Sequence, residues 1–79
     1  MEKDILKKQI DKIEYNGNVY KNVTYYLREK DGLYLIKLNL NNAGIISSST
    51  TLTLSENIDN PRKARELFDD FIYLHHIKE

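Results

Sequence analysis

The chain has no cysteine, so it can hold neither a disulfide framework nor a thiolate zinc site, and a reducing compartment is its simplest setting. An excess of one charge is also missing. Twelve bases balance twelve acids, with only a mild tilt from net +2 over residues 1–30 to net −2 over residues 56–79. Neither block demands nucleic acid or an anionic membrane as a partner. Long apolar runs are absent as well. The longest stretch without a charge, Leu38 to Ser55, is filled with Asn, Ser and Thr, whereas a spanning helix needs about 20 mostly apolar residues. The opening Met1-Glu2-Lys3-Asp4 is charged and no apolar segment of a secretory leader follows it, so a cytoplasmic location is expected.

What is present reads as one small domain spanning residues 1–79. Its 41% hydrophobic and 30% charged residues suit a folded, non-disordered chain. At 79 residues it can bury little more than half of its unfolded surface, so the core must be efficient. Ile, Lys, Asn and Tyr make up 32 of the residues, and their AT-rich codons suggest a low-GC bacterium or one of its phages.

Asp31-Gly32 is a type I′ turn dipeptide between two alternating segments. A two-residue loop there pairs Lys30 with Leu33, Leu27 with Ile36 and Tyr25 with Leu38. In that register Val23, Tyr25 and Leu27 share a face with Tyr34, Ile36, Leu38 and Leu40. Thr24, Tyr26, Arg28, Lys30, Leu33, Leu35, Lys37 and Asn39 occupy the other face, as expected for a sheet with one wet side.

Asn16-Gly17 suggests an earlier hairpin, although Ile10 and Ile13 would fall on opposite faces of its first strand. Residues 1–8 read as a frayed start or a short helix, with antiparallel strands over 9–54. The last of these strands is Ile45–Leu54. A helix is predicted over 60–77, capped by Asn60 and started by Pro61. Ala64, Leu67, Phe68, Phe71, Ile72 and His75 form its apolar stripe. The fold class is therefore α+β: an antiparallel sheet of three to four strands with one C-terminal helix on one face, in two layers.

Ile13-Glu14-Tyr15-Asn16-Gly17, Tyr25-Tyr26-Leu27, the strand Tyr34 to Leu40, and Ala64-Arg65-Glu66-Leu67 together make the chain similar to a family of short proteins of spore-forming Firmicutes. The resemblance covers roughly residues 10–77. It implies a fold but no site, because that family has no assigned activity.

Catalytic and metal chemistry find little support. His75-His76 point about 100° apart on a helix and cannot chelate one ion as an i, i+4 pair can. A core place for His75, with a pH-sensitive role as the alternative, fits its position in the stripe. Asp69-Asp70 diverge in the same way, and Arg65–Asp69 and Arg62–Glu66 read as i, i+4 pairs on a solvated face. Ser47-Ser48-Ser49-Thr50-Thr51 has hydroxyls without an activating base. Gly17, Gly32 and Gly44 belong to turns and make no phosphate loop. No enzyme activity, cofactor or metal is expected.

Two surfaces remain. The uncharged strand Ile45–Leu54, with Leu33 and Leu35 beside it, suits pairing with a protein partner or a second copy. Leu33, Leu35, Ile46, Thr50 and Leu52 would form that interface. The expected function is thus a non-catalytic interaction domain, an adaptor, regulator or inhibitor that could be phage-encoded and could form a homodimer. The alternative is single-stranded nucleic-acid binding by Tyr26, Arg28, Lys30 and Lys37, which gather three cations and a ring on the wet face of the hairpin with no acid between them on that face.

Overall fold

The computed structural model describes residues 2–42 and 48–76. Its elements are β1 (Lys3–Tyr15), β2 (Asn18–Lys30), β3 (Leu33–Asn42), β4 (Ser48–Ile58) and α1 (Pro61–His75). The strands form an antiparallel sheet in the order β1-β2-β3-β4, and α1 packs on one face, chiefly over β2 and β3. This is the α+β, two-layer arrangement that the alternation and the helical stripe predict.

Both tight turns have the geometry their dipeptides require. Asn16 and Gly17 take φ of 52° and 79°, and Asp31 and Gly32 take 52° and 81°. Two consecutive positive φ values match the twist of the flanking strands. The second turn sets Lys30 against Leu33, Leu27 against Ile36 and Tyr25 against Leu38, the predicted register.

The N-terminal segment departs from expectation. Residues 3–15 form one strand, in place of the frayed start or short helix expected over 1–8. The difficulty with Ile10 and Ile13 is resolved by Asn22, which lies between the pairs Ile10–Val23 and Lys12–Lys21 with φ 54°. A left-handed residue inside a strand rotates the pleat, much as a bulge does. Ile10 lies on one side of this kink and Ile13 on the other, so both reach the core, at 8% and 0% exposure.

At the other edge the strand runs past Leu54 to Ile58, crossing register shifts against β3 between Tyr34 and Ile36 and between Ile36 and Lys37. Residues 45–47 of the expected strand lie outside the described residues.

The helix begins as its sequence dictates. The Asn60 side chain accepts from the backbone N–H groups of Arg62 at 2.9 Å and Lys63 at 3.1 Å, and Pro61 follows. Ala64, Phe68 and Ile72 are buried, with Leu67 and Phe71 half-buried beside them. At its end His76 donates its N–H to the Ile72 carbonyl at 2.9 Å, turns extended, and bridges to Ile13 of β1. The core formed between helix and sheet centres on Ile13, Val23, Tyr25, Ile36 and Leu38, all fully buried. Truncating one such aliphatic side chain to alanine typically costs about 2–5 kcal/mol.

The kink at Asn22 gives a direct test. Asn22→Val should lose about 1–2 kcal/mol, because a β-branched residue resists the left-handed region. Asn22→Gly should retain more stability than the valine variant. Urea unfolding of the three chains reads both effects, and equal losses would show that backbone conformation is not what selects asparagine there.

Candidate functional site

The open face of the sheet, opposite the helix, is built from rows that cross the strands. One row is Lys7, Tyr26, Lys37 and Thr53, placed side by side by the β1–β2, β2–β3 and β3–β4 registers. The next is Asp4, Arg28 and Leu35. On the other side lie Gln9, Thr24, Asn39 and Thr51, where Asn39 Nδ2 donates to Thr51 Oγ1 at 3.0 Å. Tyr26 thus sits between two lysines in its own row. Its ring also takes the Arg28 guanidinium at 4.5 Å and the Lys7 ammonium at 5.9 Å from its centroid.

Tyr26, Arg28 and Lys37 therefore come together as expected, and Lys30 lies at the end of β2 beside the turn, exposed and paired with Leu33. The expectation that no acid intervenes is corrected. Asp4 Oδ1 lies 2.7 Å from Arg28 Nε, an ion pair that is not aligned as a hydrogen bond. Glu2, just ahead of β1, reaches across β2 to Lys37 of β3 at 3.0 Å and lies 4.0 Å from Arg28 Nη1. The hydrogen bond from Lys37, backed by the charges of Lys37, Arg28 and Lys30, holds the Glu2 carboxyl below its ordinary range despite some desolvation. Lys7, Glu2 and Asp4 belong to this surface and escape a reading of the single hairpin. Only the β1–β2 register brings them in.

The proposed interface residues are divided. Leu33 is exposed, at the rim of a depression of about 210 Å³ that Lys30, Leu35, Glu56 and Asn57 also line. Leu35 was expected on the wet surface, yet it is only 8% exposed. It lies opposite Arg28, and the irregular end of β4 closes in from the other side. Thr50 is exposed, whereas Leu52 is half-buried and packs against the core beneath the helix. Ile46 lies outside the described residues.

His75 is half-buried at the margin of the core, on the helix face that its place in the stripe predicts. Its ring lies edge-on to Tyr15 at 5.2 Å and stacked near Tyr25 and Phe71, each at 6.1 Å between centroids. Nδ1 is 2.8 Å from the hydroxyl of fully buried Tyr25, a polar link from the helix to the sheet interior. Desolvation lowers the His75 pKa from 6.5. Burial, followed by the nearby Tyr15, raises that of Tyr25 well above 10. No group of three or more His, Cys, Asp or Glu side chains suited to a metal occurs among the described residues. None of their helices is long and apolar enough to cross a membrane.

The sign of the pH dependence follows from these shifts. Below pH 6.5 the unfolded chain takes up a proton at His75 before the folded chain does, so stability falls as pH drops until the lower folded value is passed. Above pH 10 the unfolded chain loses the Tyr25 proton first, and stability falls again. Urea midpoints should therefore form a plateau between about pH 7 and 9. His75→Phe should flatten the decline between about pH 7 and 5. An unchanged slope in that variant would place the acid sensitivity elsewhere.

Searches against protein-family models, curated proteins and solved structures find nothing that matches this chain.

Proposed function

We propose that the chain is a non-catalytic interaction domain that binds protein by adding a strand to the outer edge of β4, with a second copy of itself as the simplest partner. The observation that carries this reading is the contrast between the two edges of one sheet. Edge β1 carries Lys3, Asp4, Lys7, Lys8, Asp11, Lys12 and Glu14. Such charges oppose the approach of another strand, and natural sheets use them for that purpose. Edge β4 has no charged residue from Ser48 to Ser55, and no proline.

Pairing between β3 and β4 is regular from Lys37–Thr53 to Asn42–Ser48, which leaves a regular run of β4 backbone on the outer edge among the described residues. The irregular stretch beyond Thr53 limits the usable edge to about that length. The side chains Thr50, Thr51 and Thr53 along it are exposed, and threonines facing one another across strands form favourable pairs. Two copies can meet there antiparallel without opposing like charges. The roles of adaptor, regulator or inhibitor all use the same contact.

The test is solution mass by light-scattering chromatography over a tenfold dilution, at two salt concentrations. The wild-type chain should run at about twice its 9.3 kDa, with little response to salt. Thr50→Lys with Thr53→Lys should run as a folded monomer. Leu52→Lys is unsuited, since it would place a charge against the core. A wild-type monomer, or a dimer indifferent to the two lysines, overturns self-pairing. If capture from a low-GC host lysate is also indifferent to the lysines, the β4 edge is excluded as a docking strand.

A further inference from the structure

We propose that the open sheet face is a second binding site, for single-stranded nucleic acid, and that Glu2 and Asp4 occupy it in the free chain. The site consists of Lys7, Tyr26, Arg28 and Lys37, and it lies on a different surface from the β4 edge. The row Lys7–Tyr26–Lys37 places a lysine on the strand to either side of Tyr26, and the Lys7 ammonium lies 5.9 Å from the ring centroid. Arg28 lies over that ring from the adjoining row. This is the combination by which sheets hold single strands: a ring for a base and flanking cations for phosphates. The neighbouring row of Gln9, Thr24, Asn39 and Thr51 offers amides and hydroxyls to base edges.

The placement of the acids marks the face as an anion site. A side chain that served only its own hairpin would pair with β2. Glu2 instead passes over β2 and ends 3.0 Å from Lys37 on β3, with Arg28 Nη1 at 4.0 Å. Asp4, two residues on, takes the other side of Arg28 at 2.7 Å. The two carboxylates thus take up the Lys37 and Arg28 cations that phosphates would use. Glu2 lies outside β1, and the β1–β2 register shifts between Asp4 and Leu6. Its hold on Lys37 is a partly exposed ion pair, the Lys37 and Glu2 side chains being 21% and 34% exposed, and solvent-accessible pairs are individually weak and screened by salt. A strand bearing several phosphates can displace such pairs, whereas a single small anion gains too little. An acidic peptide would meet the same cations but would leave the Tyr26 ring unused.

The measurement is fluorescence anisotropy with a labelled 20-residue oligothymidine at low and moderate salt. Glu2→Gln with Asp4→Asn should bind at least tenfold more tightly than the wild type. Adding Lys7→Gln and Lys37→Gln to that variant should return binding to the wild-type level or below and flatten its salt dependence. Circular dichroism checks the fold. Should the double variant not fold, Glu2→Gln alone, outside the strand, should still tighten binding about threefold. Two results would overturn the proposal: acid-free variants no tighter than the wild type, or polyglutamate competing as well as the oligonucleotide.

Discussion

A single helix of fifteen residues has to finish a four-stranded sheet, and it covers one face, chiefly over β2 and β3. At 1.5 Å per residue α1 is about 22 Å long, enough to lie along two strands but not to reach around them. Among the described residues, the other face and both edges are left to side chains alone. Each of these three surfaces is handled in its own way: charges along β1, an ion-paired cluster on the open face, and bare threonine backbone along β4. The candidate sites are therefore products of what the helix cannot reach.

Where the helix does reach, its attachment is unequal along its length. The first turn is secured locally by Asn60. The last turn is secured across the molecule, by His75 against Tyr15 and Tyr25 and by the bridge from His76 to Ile13. A histidine is well suited to this position. It offers Tyr25 a hydrogen-bond partner, which a buried hydroxyl requires, while presenting an aromatic body to its neighbours.

The β2–β3 register was legible because Asp31-Gly32 leaves one loop length and the flanking residues alternate cleanly. The helix was legible from Asn60, Pro61 and the stripe. The N-terminal strand was not, because its alternation changes phase opposite Asn22, and nothing in the spacing of Ile10 and Ile13 reveals a left-handed residue on the neighbouring strand. The open face was half legible. Tyr26, Arg28 and Lys37 share one hairpin, but Lys7, Asp4 and Glu2 join them only through pairing with a strand whose start could not be placed. Leu35 misled for a related reason, since alternation assigns a face but says nothing about what closes over it.

The strand order has a kinetic side. Every strand pairs with its neighbour in sequence, so each ladder can close through a short loop without waiting for a distant segment. The exception is the bridge from Ile13 to His76, which joins the two ends of the chain. Hairpins of this kind form in microseconds. The expected folding route is therefore a sheet that zips outward from its turns, followed by closure of the helix end. His75, whose contacts with Tyr15 and Tyr25 form only when the helix end closes, should then contribute little to the folding transition state and much to the unfolding rate.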